Sequence, residues 1–572
     1  MQDELTTLIP LAVLIPLFGS AFAFAFYRQQ TVQRMVTVIS LLVTLVLEIA
    51  LIAAVWHGET LAVHVAGWPA PWGISMVVDQ FSALMLVVSS LITLAVLLYA
   101  IGQGAAEEGQ DTGPVSIFYP TYLILVAGVS NAFLAGDLFN LYVGFEIFLT
   151  ASYVLLTMGG GEQRIRAGVT YVVVSIISSM LFLITIGAVY AATGTVNLAD
   201  LAIKLGELDD HIQLLLHVML LVAFGIKAAV FPLAFWLPDS YPTAPAPVTA
   251  VFAGLLTKVG IYSIIRTETL LFPGTQLNTA LMVVALLTMI VGILGALVQS
   301  DIKRMLSFTL ISHIGYLVFG LALSSVVGMT ATIYYVAHHI TIQTTMFLVT
   351  GLIERRAGTS NVDRLGSLAK LSPLLAILFF VPAMNLAGIP PFSGFVGKIG
   401  MIQGGIAENT WAAWMLVAGT MITSVLTLLA VARIWSRSFW RKAEDAEDPD
   451  PLLLPKSLEH GRAANRRLMP MNLVGPTTFL VSLTVAFTVA AGPLMSFSQQ
   501  AARDMYERTP YLEAVLGEER VDGVREELVE IASEIPDLDT EDDGVDDFAP
   551  VTTTTESEDG EDTYGTDDEG SE

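Results

Sequence analysis

Apolar runs of about 18 to 25 residues follow one another along most of this chain, each long enough to cross about 30 Å of hydrocarbon as a helix. A chain of 572 residues that is 54% hydrophobic and 14% charged, with mean hydropathy +0.67, carries more apolar side chain than one water-soluble core can bury. Strands of a β-barrel would be shorter and alternating. The pattern therefore predicts an all-α polytopic membrane protein. About 14 transmembrane helices are expected, beginning near Leu5, Val32, Asp79, Phe118, Asp137, Arg166, His211, Ala244, Leu277, Ile302, Ser325, Leu371, Trp411 and Val474. The first lacks a charged leader and a small-residue cleavage site, so it reads as a retained helix.

Cysteine is absent, which removes disulfides, thiolate metal sites and cysteine nucleophiles and leaves carboxylates, lysines and histidines for chemistry. No glycine-rich phosphate loop, nucleophile elbow or basic aromatic patch stands out, so neither an enzyme with a bound cofactor nor a nucleic-acid partner is expected. No metal site is expected either, since the histidines have no further ligand at metal spacing.

Charge is unevenly spread. Residues 501–572 hold 26 acidic and four basic side chains, so that segment carries −22 of the net −26. Its end is too poor in apolar residues to offset the entropy of ordering, which predicts an acidic, disordered tail beyond about Pro536 and a short amphipathic helix between Gln500 and Ile535. Only eight lysines stand against 53 acidic residues, a balance expected of a halophilic prokaryote. Basic residues gather in alternate loops, after the first, fifth, ninth, eleventh and thirteenth spans, with Lys204 and Arg266 as exceptions. By the positive-inside rule those loops are cytoplasmic, and both termini of this cell-membrane protein are expected outside.

Two spans are broken at comparable places. Pro232 and Pro238 interrupt the seventh just after Lys227, and Pro390 and Pro391 interrupt the twelfth just before Lys398. Proline removes a backbone hydrogen bond and clashes with the preceding turn, so helices 7 and 12 should be discontinuous, a mark of inverted repeats with an ion path between them.

Ionisable groups at membrane depth cost several kcal/mol unless paired or hydrated. Glu146 lies near the middle of span five with no basic residue within a turn, and Lys227, from another helix, is its expected partner. Lys258 is central in span eight, where Thr257 and water are expected to supply its polar surroundings. Lys398 is the third deep lysine. His313, His338 and His339 are candidate proton relays, because imidazole accepts at one nitrogen and donates at the other. Neighbouring helical residues point about 100° apart, so one of His338 and His339 is expected to face the path. Asp137, nine residues before Glu146, reads as a helix-end carboxylate favoured by the helix dipole.

The stretches "GDLFNLYVGFEIFLTASYVLL", "FGIKAAVFPLAFWLPDSYPTAPAPVTAVFAGLLTKVGIY", "DIKRMLSFTLISHIGYLVFG" and "GIPPFSGFVGK" resemble the D subunit of Mrp-type sodium/proton antiporters. That family is similar to the antiporter-like subunits of respiratory complex I and membrane-bound hydrogenases. The likeness runs from about Ala70 to Arg433. It implies 14 helices with two inverted five-helix repeats: residues 1–110 would hold helices 1–3, 111–270 the first repeat, 271–440 the second, 441–500 a cytoplasmic loop and helix 14, and 501–572 the external tail. It further implies Glu146 and Lys227 as an entry-side pair, Lys258 as central relay and Lys398 as exit-side lysine, with His338 or His339 between the last two. Other membrane subunits are the implied partners, and protons and sodium the implied ions. Gln343 departs from the family, standing where relatives commonly carry lysine.

The function expected is a proton-translocating subunit of a multisubunit cation/proton antiporter and not an enzyme. A pumping subunit of a redox-driven complex is the second reading, and a non-conducting assembly scaffold the third. Apart from Glu146, no mid-span carboxylate is read as available to dehydrate sodium, so the sodium path is expected in a partner subunit.

Overall fold

A computed structural model describes residues 5–104, 117–274, 276–454 and 469–538. Two apolar helices, α1 (Leu11–Ala25) and α2 (Gln30–Ala54), lead into an antiparallel pair of short strands, β1 (Leu61–His64) and β2 (Ser75–Val78). Next come α3 (Gln80–Gln103), α4 (Phe118–Leu134), α5 (Leu138–Thr157), α6 (Glu162–Thr193), the short α7 (Leu198–Lys204) and α8 (Asp210–Ala228). The span α9 (Ala246–Leu271) contains two π-helical turns, Phe252–Leu256 and Thr267–Leu271. It is followed by α10 (Asn278–Val298), α11 (Ile302–Ala322), α12 (Val326–Ala357), α13 (Pro373–Ala387), α14 (Ser393–Glu408), α15 (Trp411–Trp440) and α16 (Met471–Val489).

Among the described residues, eleven helices are long and apolar enough to cross a membrane, and α1, α4 and α13 are shorter apolar helices. α9 and α12 are buried along their lengths and form the axis of the bundle. Val46, Ile184, Val298 and Val425 instead turn outward on α2, α6, α10 and α15, where lipid replaces protein as their solvent.

Both expected discontinuities are present. α8 stops at Ala228, and Ala229 takes a left-handed conformation (φ 59°) before the chain turns through Pro232 into a single helical turn, Leu237–Ser240. α13 stops at Ala387, Gly388 takes φ 80°, and α14 resumes at Ser393.

Asp137 caps α5 by accepting from the Asn140 N–H at 2.6 Å, and its backbone pairs with Asn197. The same device recurs on α11, where Asp301 accepts from the Arg304 N–H at 3.0 Å and pairs with Asn361. Around this second cap the basic loops converge: Lys303 meets Glu354 at 2.8 Å, Arg304 meets Asp239 at 2.8 Å, and Arg437 meets Asp363. Lys204 and Arg266, the exceptions to the charge pattern, pair with Asp200 at 3.1 Å and Asp79 at 2.5 Å.

The C-terminal expectation needs correction. Residues 501–538 are not tail with one short helix: α17 (Ala491–Glu507), α18 (Thr509–Leu516), α19 (Glu518–Asp522) and α20 (Arg525–Ser533) form a docked layer. Enough apolar residues sit among the charges to bury an inner face, including Met505, Tyr506, Tyr511, Leu512, Val521 and Leu528. Arg520 reaches the buried Asp200 at 2.5 Å, and Tyr511 lies under the Arg266 guanidinium. Residues 539–572, most of the segment where disorder is expected, and residues 455–468, in the loop after the thirteenth span, lie outside the described residues.

Candidate functional site

The seventh span places Lys227 in its last turn, next to the break, where a long side chain can reach back into the bundle. Its Nζ donates to Ser179 Oγ at 2.7 Å, and Ser179 Oγ donates to Glu146 Oε1. The expected partners are thus joined through a hydroxyl from α6, set between an amine on α8 and a carboxylate on α5. A hydroxyl can accept and donate at once, so the three groups form a directed chain of hydrogen bonds. The Phe145 ring lies 5.3 Å from the ammonium, and the break is anchored by Trp236 Nε1 on the Ile226 carbonyl and by the Phe231 N–H on Thr288 Oγ1. Beside Lys227 is a cavity of ≈ 20 Å³ lined also by Ser175, Ser178, Trp236 and Tyr241, room for about one water molecule.

Lys258 is fully buried, and its Nζ donates to the Ala253 carbonyl at 2.8 Å, within the π turn of α9. Thr257 does not solvate it; its hydroxyl has no hydrogen-bond partner. π turns loosen the regular ladder of a helix and often mark functional positions. Gly260 lets α9 approach α8 here: a Cβ on it would stand 2.6 Å from the Ala228 nitrogen.

The three histidines gather around Tyr335. His313 Nδ1 meets the Tyr335 hydroxyl at 2.9 Å, the His313 and His339 rings stack at 5.1 Å, and the Tyr335 and His338 rings lie 5.1 Å apart. His338 Nδ1 bonds Ser393 Oγ at 3.0 Å, at the start of α14 beyond the second break. His339 keeps both ring nitrogens without partners, as do His313 and His338 at Nε2. Adjacent His338 and His339 thus serve different neighbours, as their 100° separation requires. Lys398 donates to the Ala387 carbonyl, the last residue of α13, at 3.1 Å and sits 4.8 Å from the Tyr316 ring. Gln343, one turn beyond His339, donates from Nε2 to the Leu306 carbonyl at 2.8 Å and leaves Oε1 without a partner.

The arrangement falls into two parts. Glu146, Ser179 and Lys227 form one; Lys258, the histidines, Tyr335, Ser393 and Lys398 form the other. Among the described residues no hydrogen bond joins them. Asp137 belongs to neither and serves as a cap. Sequence reasoning misses four polar residues: Ser179 and Ser393, which look like ordinary helix serines, Tyr335, at the centre of the histidine cluster, and Glu48, a fully buried carboxylate in α2. The "SIISS" run in span six is the available signal for Ser179.

Known proteins share this outline. The family model described as NADH:quinone oxidoreductase/Mrp antiporter, TM, matches residues 135–424. The chain is similar to the D subunit of the Na(+)/H(+) antiporter of Alkalihalophilus pseudofirmus, at 37% identity covering 90% of this chain and 100% of that one. It is also similar to the D subunit of the Na(+)/H(+) antiporter of Bacillus subtilis, at 35% identity over 89% and 99%. A chain in the structure of the Mrp complex from Dietzia sp. DQ12-45-1b superposes with TM-score 0.80 and 33% identity, covering 90% of this chain and 100% of that one.

Proposed function

The chain belongs to the NADH:quinone oxidoreductase/Mrp antiporter family, with relatives named as D subunits of Na(+)/H(+) antiporters, and from that membership we propose that it is the proton-conducting subunit of a multisubunit sodium/proton antiporter. The observation that carries the proposal is the bridged chain Lys227–Ser179–Glu146 set against a helix break. A fixed structural pair needs neither a relaying hydroxyl nor a hinge beside it. A proton donor whose compensation must change with conformation needs both.

In this reading Lys227 holds its proton while Ser179 and Glu146 neutralise it. Movement at the 229–236 break lengthens that contact, the ammonium loses its compensation, and the proton passes by water toward Lys258. From Lys258 it continues over His339, His313 and Tyr335 to His338, Ser393 and Lys398, each with a nitrogen or oxygen able to accept and release. Gln343 orients water beside His339 without carrying charge of its own. The second break, at Gly388–Phe392, gives Lys398 the same freedom that the first gives Lys227.

The finer architecture follows. The three shorter apolar helices, with α14 continuing α13 across its break, bring the spans to 14. The matching Asp–Asn bridges at Asp137 and Asp301 support two inverted repeats. The positive-inside rule puts the convergent basic loops in the cytoplasm and the C-terminal layer outside the cell membrane. Other membrane subunits are the expected neighbours of the exposed apolar flanks.

Replacing Lys227 or Glu146 by Ala in the assembled complex should abolish sodium-dependent proton movement in everted vesicles while co-purification of the partner subunits is unchanged. Retained antiport in both variants refutes the proposal.

A further inference from the structure

Outside the lysine–histidine axis, α2 carries a second polar line. Gln33, Thr37, Ser40, Thr44 and Glu48 recur every three or four residues and therefore share one face; all five are buried. The stripe extends about 22 Å along the helix. Its lower half is spoken for: Gln33 Nε2 donates to the Ala23 carbonyl at 3.0 Å, Thr37 to the Gln33 carbonyl at 2.8 Å, and Ser40 packs against Gly19 of α1.

The upper half is not. Glu48 is fully buried between α2, α3 and α4, and neither of its carboxyl oxygens has a hydrogen-bond partner. The hydroxyls of Thr44, one turn below, and of Ser90, on α3, are likewise buried and without partners. Ser130, on α4, faces the same carboxyl as Ser90. α1 has no titratable residue; Tyr99 of α3 and Tyr119 and Tyr122 of α4 lie about 12 Å or more along their helices from Ser90 and Ser130.

Several orphaned oxygens converging in a dry site cost free energy, and a missing ion or water is one of the few things that repay it. Oxygen donors suit hard cations, and a single carboxylate neutralises a single positive charge; a divalent ion would leave net charge in hydrocarbon. We propose that Glu48, with Thr44, Ser90 and Ser130, is a binding site for a small alkali cation, which enters as the carboxyl releases its proton. The site is then neutral in both states: one proton leaves for each alkali ion bound. Sodium or lithium fits the donor set, and the preference for sodium rests on the antiport reading above. The site itself does not.

The test uses the whole complex in native membranes. A hydrophobic carbodiimide should modify Glu48, read as a mass-shifted peptide, and sodium or lithium should protect it while choline does not. At ten times its dissociation constant the ion leaves about one site in eleven free, so labelling should fall about tenfold. In everted vesicles Glu48→Gln should raise the half-saturating sodium concentration about tenfold or abolish the sodium response, with Glu48→Asp retaining it. Labelling that no alkali ion reduces, or no adduct at Glu48 at any pH tried, overturns the proposal. If Glu48→Gln fails to assemble, labelling of the unaltered chain still decides. Because labelling needs no transport, it separates this site from the fate of the Lys227 reading.

Discussion

Ser179 is the residue on which the proposed Lys227–Glu146 coupling turns, because among the described residues it hydrogen-bonds both of them. A hydrogen bond to a charged group is worth about 1.5–3 kcal/mol, so Ser179→Ala should slow antiport about tenfold to hundredfold, and Ser179→Thr, which keeps the hydroxyl, should restore most of it in the same vesicle assay. Equal rates in all three would show that the hydroxyl only packs. Asp504, in the C-terminal layer, is pushed up to about 7 by burial and by the neighbouring Glu507 and Asp79 carboxylates. Its unfolded value is about 3.9, so the docked layer favours the protonated acid; docking is firmest at low pH and weakens as pH rises from about 4 through 7. Amide exchange in α17 and α18, corrected for intrinsic rate, should accelerate as pH rises from about 4 to 7 and level off above that, and Asp504→Asn should remove that acceleration. The deep lysines and Glu146 are legible in the sequence because a charge inside an apolar run is already an anomaly. Ser179 and Ser393 are not, since a serine in such a run is unremarkable until its partners are known. Glu48 shows the same anomaly, but it lies away from the lysine pattern that draws attention elsewhere.

Helix packing holds these groups in register, and glycines mark where. A Cβ at Gly260 would meet the backbone of Ala228 and Lys227, so Gly260→Ala should force α9 away from α8 at the break and cost about 1–3 kcal/mol, with antiport falling along with thermal stability. Gly187, on α6, has nothing within 4 Å of its would-be Cβ, and Gly187→Ala should leave both measurements unchanged. Span positions are readable to within a few residues, because a run's length and its flanking caps are local properties: Asp79, Asp137, Asp301 and Ser325 each stand immediately before the helix they cap. The π turns of α9 are not readable. They depend on how α9 packs against α12, where Thr344 Oγ1 would collide with a Cβ on Gly254.

Across the described residues, the buried lysine–histidine axis is enclosed by helices with exposed apolar flanks, and the C-terminal layer packs against the bundle. A charge count over residues 501–572 hides that layer, because it weighs 26 acidic residues as one segment whereas the buried apolar residues lie in the first half. Its seat is the Asp79–Arg266 pair beneath Tyr511. Arg266→Ala leaves a buried carboxylate unpaired and should destabilise the chain by about 3–5 kcal/mol, readable as a lower unfolding temperature of the purified complex. The decisive test of proton conduction lies in the gap between Lys227 and Lys258, which no hydrogen bond among the described residues crosses. Ordered water in a density map of the assembled complex, resolved well enough to place single molecules, should bridge that gap and continue past His339 to Lys398. A dry gap filled by side chains in every conformational class would contradict proton passage along this line.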